Sequence, residues 1–430
     1  MSQSEPPARP GLGRRAVLLV ANNAAPYSRG LRVARSLAEA GWAVEIAAAA
    51  DPDLPDVEHD GPIVIRRHAP SGWPERLRRA LPRRDQRGSM RSLAARAIDL
   101  AVKGPLWPFP VRGWWATLRR ELPPADLYHA FGILTLPVAL DLARQARQDG
   151  RRGIVVYDVI DAILDSNNYV RVPPPVLAWY RRREAGWVRR ADGVVTVNDG
   201  LAAHCASTWP FRERPTVVMN CQPRWSPPRP RPNLIREAAD LPPERRIVLF
   251  LGRLGRQRGL DEAAEAVLRL PDAALVMLGF GHWADELRAR DRDPRFAGRH
   301  VTLPAVHPDA VKLWAASADV SILAVPANSL NQRLSTPNKL WESLVAGTPV
   351  VVGRGLEVMR GIVESDGLGA TTDPADPGDI ARALQEVLEQ PPDAYEAMRE
   401  RCSAVCRQRY NWESESAKLI GLVEELLARP

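Results

Sequence analysis

The sequence predicts an α/β protein of two doubly wound, mainly parallel sheets facing a shared cleft. Three observations carry this reading. Short β-branched runs alternate with amphipathic stretches five times in the second half, the first half repeats the alternation more loosely, and a proline-rich stretch separates the two. At 430 residues, 45% of them hydrophobic, the chain can fill two cores.

In chain order, residues 1–13 are proline-rich and lack the apolar core and small-residue cleavage site of a secretory signal. They read as disordered, and the chain as cytoplasmic. The N-terminal domain, 14–222, follows: AVLLVA with a helix over Leu31 to Ala40, AVEIAAA, DLYHA with Leu134 to Ala146, GIVVYD, and GVVTV with Leu201 to Ser207. QPRWSPPRPRPN is too rich in proline for a helix or central strand, which puts a linker at 223–234. The C-terminal domain, 235–405, runs RIVLFL then Leu260 to Leu270, AALVML then Trp283 to Arg290, HVTL then Pro308 to Ala316, DVSILA then Pro337 to Ala346, and PVVV then Leu356 to Glu364. Residues 406–430 are expected to form a helix packing back on the N-terminal domain. Two such domains set the C-terminal ends of their strands, and so their binding loops, around one cleft.

Composition removes several classes. No apolar stretch approaches the roughly 20 residues of a membrane-spanning helix. Cys205, Cys221, Cys402 and Cys406 show no CxxC pairing and no His at zinc-like spacing, so they read as reduced thiols and no metal site is expected. The formal net charge of +8 is matched by residues 73–122 alone, where eleven Arg and one Lys face Glu75, Asp85, Asp99 and Glu121. Trp73, Trp107, Phe109, Trp114 and Trp115 fall in the same stretch. Basic helices with tryptophans suit an anionic membrane surface, and a folded insertion with buried tryptophans fits equally. No nucleic-acid reader motif accompanies the charge, so nucleic acid is not expected as a partner.

GRLGRQRG, 252–259, follows one strand and opens a helix, where free backbone N–H groups and the helix dipole favour an anion. Its spacing is neither a Walker A loop nor the dinucleotide G-x-G-x-x-G. Gly252, Gly255 and Gly259 permit close approach, and Arg253 and Arg258 read as a two-pronged clasp for a phosphate or diphosphate. Two solvated arginines would read the same way, in a chain where four of 59 cationic residues are lysine. LGFGHW, 278–283, with Gly281, is either a second glycine-rich approach to the cleft or a plain tight turn. STPNKLWESLVAGTPVV, 335–351, has Thr336 placed as N-cap, Pro337 at the first helical position, Gly347 past the end and Pro349 beyond it. Leu340, Trp341, Leu344 and Val345 form the buried stripe, and Glu342 falls on another face, where taken alone it reads as solvated. GLGRRA, 11–16, precedes its strand and so is not a dinucleotide loop.

Together, the GRL, Arg258-Gly259, the LGFG turn and PNKLWESLVAGTPVVV resemble the family-4 retaining glycosyltransferases of the GT-B fold, over roughly residues 15 to 405. The resemblance implies that Arg253 and Arg258 hold a donor diphosphate and that Glu342 holds the ribose. Gly252, Gly281, Asn338 and Lys339 would join the donor site, and Val306, with Ala305 to His307, would lie near the base. Leu334 stands where the family has a first Glu, and P-N-K-L marks a branch of it. SRGLRVARSLAEAGWAVEI, DLYHAFGILTLPVAL and GIVVYDVID are similar to N-terminal segments of the branch. They make His129 a catalytic or acceptor-positioning candidate and Gly30, Asp158 and Asp161 acceptor-side candidates. The implied reaction moves a sugar, with retention, from a nucleotide-diphosphate sugar to a hydroxyl of a sugar or lipid-linked acceptor in envelope polysaccharide or glycolipid synthesis. Arginine supplies the charge, so neither metal nor cofactor is expected. The enzyme would work in the cytoplasm or at the inner membrane face. A small soluble acceptor, a nucleotide-sugar epimerase and a catalytically silent nucleotide-sugar-binding protein are the other readings.

Overall fold

The computed structural model describes residues 13–25, 27–71, 108–170, 172–209 and 213–429. Within them lie two sheets. The first contains β1 (Arg15–Val20), β2 (Ala43–Ala49), β3 (Val57–Asp60), β4 (Ile63–His68), β5 (Leu127–Phe131), β6 (Ile154–Val159), β7 (Gly193–Thr196) and β8 (Thr216–Val217), ordered β3-β4-β2-β1-β5-β6-β7-β8. It is parallel except where β3 pairs antiparallel with β4 at one edge. The second contains β9 (Arg246–Arg253), β10 (Ala273–Phe280), β11 (His300–Pro304), β12 (Val320–Leu323), β13 (Val350–Gly353) and β14 (Gly369–Thr372), ordered β11-β10-β9-β12-β13-β14 and wholly parallel.

Helices cover both faces of each sheet, so central strands are buried on both sides and read as unbroken apolar runs. Ala16–Val20 and Ile247–Leu251 are buried throughout. The edge strand VEHD is solvent-exposed and charged instead, which blunts pairing with another chain. Residues 218–233 carry no helix or strand, and the chain crosses between the domains there.

The helix Trp412–Ala428 returns to the first domain. Its Trp412, Leu419, Val423, Leu426 and Leu427 enter the same core as Ala16, Leu18, Val33 and Leu37. Trp412 Nε1 donates to Ser36 Oγ at 2.9 Å. The second domain has its own core, in which Phe250, Leu275, Trp283 and Leu384 meet.

Of the basic, aromatic stretch, residues 73–107 lie outside the described residues, as do residues 1–12 of the N-terminus. The helix Pro108–Glu121 is described. Trp114, for which a membrane surface and a folded insertion fit the sequence equally, is buried in the core with Tyr128 and Leu142, and Trp115 Nε1 donates to Leu134 O at 2.9 Å. For these two tryptophans the folded alternative holds. No helix among the described residues is long and apolar enough to cross a membrane.

Candidate functional site

In a doubly wound sheet, ligands bind beyond the strand ends where neighbouring strands leave in opposite directions. In the second sheet that point is the end of β9, flanked by β10 and β12. There Gly252 adopts φ +103°, and a 3-10 turn, Arg256–Arg258, leads to Gly259 at φ +69°. A Cβ on Gly259 would lie 2.0 Å from Ala324 O, so only glycine lets the turn close against the end of β12. The closure leaves Arg258 half-buried and Arg253 exposed, both bordering a cavity of about 370 Å³.

Across that cavity the helix Asn338–Val345 begins. Its N-cap is Pro337, not Thr336 as the sequence suggested, and no side chain caps it. Thr336 Oγ1 instead accepts from Asn198 Nδ2 of the first domain at 3.2 Å. Gly347, at φ +66°, ends the helix in the left-handed conformation expected. Asn338, Lys339 and Glu342 all line the cavity. Leu340, Trp341, Leu344 and Val345 are buried.

Lys339 Nζ sits 4.1 Å from the centroid of the Phe250 ring. Burial, and then Arg258, lower its pKa to about 7, while Glu342 opposes the shift. Burial, and then Arg253, likewise lower Arg258. Burial raises the Glu342 carboxyl above the usual range, against Arg32, Lys339 and Lys312. Arg253, Arg258 and Lys339 thus border one cavity with a single carboxylate, Glu342, an arrangement that a bound polyanion would stabilise. The other end of the cavity is apolar, lined by Leu251, Leu278, Phe280, Val306, Pro308 and Val311.

The first domain completes the wall. Ser28 lines the cavity, and its Oγ accepts from Asn338 Nδ2 at 2.9 Å. Asn220 Nδ2 donates to Asn338 Oδ1 at 2.7 Å. Arg32 Nη1 in turn donates to Asn220 Oδ1 at 2.7 Å and to Cys221 O at 2.8 Å.

Arg253, Arg258, Gly252, Val306, Asn338, Lys339 and Glu342 thus converge from separate loops. Gly281 does not join them. At φ +152° a Cβ there would lie 2.1 Å from Leu254 O, so this glycine serves packing between the ends of β9 and β10, and Gly279 and Phe280 line the cavity.

The N-terminal candidates divide. His129 and Asp158 are fully buried, and His129 Nε2 lies 2.9 Å from Asp158 Oδ2. Arg29, 2% exposed, donates Nε to both Asp158 oxygens at 3.0 and 2.9 Å and Nη1 to Val218 O at 2.9 Å. Phe131 covers the histidine, with ring centroids 4.6 Å apart. His129 and Asp158 are therefore joined with Arg29 in a buried hydrogen-bonded cluster and do not line the cavity. Gly30 is no open approach either, because a Cβ there would stand 2.4 Å from the Tyr27 ring. Asp161 does reach the cleft. It lines a second chamber of about 380 Å³ that shares Arg258, Pro337 and Lys339 with the first. The residue is exposed to the cleft, yet the protein around its carboxyl displaces water and raises its pKa, and a hydrogen bond from Asn331 opposes the rise.

Ser28, Arg32, Asn220 and Phe280 escaped the sequence reading. Arg32 was masked by the abundance of arginine, and Ser28 and Asn220 carry no local signal. Phe280 had one: a bulky aromatic between two glycines at a strand end.

Residues 233–407 match the family model for glycosyl transferases group 1. A lipopolysaccharide core biosynthesis glycosyltransferase, LpsE of Rhizobium meliloti, is 29% identical over 153 residues, which are 36% of this chain and 42% of that protein. The chain thus spans under half the length of that relative. Among solved structures, sucrose-phosphate synthase from Thermosynechococcus elongatus has a TM-score of 0.66 at 19% identity, covering 96% of this chain and 99% of that one. Anabaena HepE, solved with UDP and glucose, has a TM-score of 0.64 at 14% identity, covering 96% and 100%. The two facing sheets form the GT-B fold, and the residues that match the glycosyl transferases group 1 model, 233–407, include Arg253, Arg258 and Lys339 of the cavity.

Proposed function

We propose that the protein transfers a sugar from a nucleotide-diphosphate sugar to a hydroxyl acceptor, with retention of configuration. One observation carries the reading: a single cavity joins an apolar end to a cluster of Arg253, Arg258 and Lys339, with Glu342 beside them. A nucleoside diphosphate matches that sequence of surfaces, base to the apolar end, ribose to Glu342 and diphosphate to the cations. As the bond to the sugar breaks, charge grows on the departing diphosphate, where preorganised cations stabilise it most. The cations do this without a metal. The second chamber, with Asp161 and the carboxamides of Asn167, Asn331 and Gln332, lies beyond Arg258 and Lys339 and suits hydroxyl groups of the sugars.

The similarity to a lipopolysaccharide core glycosyltransferase supports an envelope polysaccharide or glycolipid acceptor, met by a peripheral enzyme at the cytoplasmic membrane face. The test is to incubate the purified protein with UDP-, GDP-, TDP- and ADP-sugars and follow nucleotide release with and without lipid-linked and sugar acceptors. Acceptor-dependent release supports the proposal. Epimerised donor without release would favour an epimerase, and thermal stabilisation by a donor without turnover a silent binding protein.

A further inference from the structure

We propose that Phe280 is the aromatic platform on which the donor's nucleobase stacks. The inference rests on the nucleotide-sugar reading above and adds a residue to it. The strand order β11-β10-β9-β12 sets the cavity wall in sequence: Ala305 and Val306 after β11, Phe280 at the end of β10, Gly252 and Arg253 at the end of β9, then Asn338, Lys339 and Glu342 beyond β12. The register agrees, with Gly279 opposite both Pro304 and Gly252, and Phe280 opposite Arg253. A diphosphate among Arg253, Arg258 and Lys339 directs the rest of the nucleotide toward β10 and β11, where Phe280 stands.

The ring is poised for a ligand. Seven residues of β10 are buried, but Phe280 is 63% exposed, and among the described residues no aromatic ring or cation covers it. Its backbone is pinned. A Cβ on Gly279 would lie 1.8 Å from Gly252 O, one on Gly281 2.1 Å from Leu254 O, and Leu254 N donates to Phe280 O at 2.7 Å. The two glycines thus draw the ends of β9 and β10 together around one fixed aromatic residue, and a surface held in place loses little freedom on binding. The nearby side chains, Leu278, Ala305, Val306, Pro308 and Val311, offer no polar group, so stacking and backbone contacts are what this end can give a base. Every base presents a π-face to such a ring.

The test compares wild type, Phe280→Ala, Phe280→Leu and Phe280→Trp by calorimetry with UDP, GDP, TDP and ADP, and with inorganic pyrophosphate as the probe without a base. For nucleotides that wild type binds, Phe280→Ala and Phe280→Leu are expected to weaken binding by about 5- to 150-fold, the range that loss of one base–aromatic stack gives. Pyrophosphate binding should be unchanged, and Phe280→Trp should retain nucleotide affinity. Leucine keeps bulk and removes only the π-face, so the expected loss does not depend on the alanine variant folding. Unchanged nucleotide affinity in the leucine variant would overturn the platform alone, as would an equal loss for pyrophosphate. Wild type that bound pyrophosphate and none of the nucleotides would overturn the nucleotide reading, and the platform with it.

Discussion

Asn338 Nδ2 donates to Ser28 Oγ at 2.9 Å, and each residue is the first of its helix, one in either domain. The Asn338 carbonyl accepts from Asn220, so the amide is used on both sides to hold the domains together. Lys339 and Glu342, one and four residues on, remain turned to the cavity. The seam and the site are therefore parts of one helix.

Asn338→Ala removes both bonds. Each contributes roughly 0.5–1.5 kcal/mol, so the closed arrangement should weaken and donor affinity should fall about tenfold. Small-angle scattering checks the cause: the variant should be more expanded than wild type, and donor should narrow the difference. Equal radii with reduced affinity would place Asn338 in direct contact with the ligand instead.

Arg253→Ala and Arg258→Ala are each expected to lower turnover by about 100-fold, the scale of losing one charge-stabilising donor. Folding should survive, since Arg253 is exposed and Arg258 half-buried. Because the cations supply the charge, wild-type activity is expected to persist in EDTA. Loss restored by Mg2+ or Mn2+ would reveal a metal requirement.

Much of this was legible beforehand, for physical reasons. Buried parallel strands such as Ile247–Leu251 must be continuously apolar, and a glycine-rich turn directly after one opens on the binding end of the sheet, so GRLGRQRG marked its place at the cavity. Strands that depart from that pattern were missed: IVIRRH, whose arginines and histidine interrupt the apolar run although most of it is buried, VEHD at an edge, and GATT and TV, too short to show a period. His129 was read as facing the reaction because it lies near a strand end, yet the strand's side chains are buried throughout. Which way a residue faces near a strand end depends on cover such as Phe131, which a linear pattern does not contain.

Asp158→Asn should cost about 3–5 kcal/mol, because it leaves Arg29 as an unpaired buried charge. Burial alone would raise the Asp158 carboxyl, but Arg29 and His129 more than offset it and hold it below the ordinary 3.8. A depressed carboxylate contributes stability that is present above the unfolded pKa and lost as pH falls through the folded one. Denaturant unfolding should therefore show wild type losing stability with acid below about pH 4, with a shallower loss in the variant.

The basic stretch carries a separate expectation. Each cationic side chain near an anionic bilayer contributes about 1 kcal/mol, screened by salt. Co-sedimentation should show binding to anionic and not neutral vesicles, weakening as salt rises and reduced by charge reversal at Arg78, Arg79, Arg83 and Arg84. No binding at low salt would leave a small soluble acceptor as the better candidate.

Lys339 should set the pH dependence of donor binding. Burial and Arg258 lower its pKa to about 7 in the empty cavity, and a diphosphate alongside would favour the charged form and raise it. Binding then takes up a proton between those two values, so donor affinity should weaken as pH rises from 7, by up to tenfold per unit. Calorimetry in buffers of different ionisation enthalpy would count the proton. Lys339→Arg should flatten the profile, because its guanidinium stays charged over this range. Lys339→Met should move two quantities in opposite directions. It removes a cation that burial disfavours, so the ligand-free protein should melt higher, while donor binding weakens. If methionine lowered stability and left the pH profile unchanged, Lys339 would be a packing residue whose charge the ligand never meets.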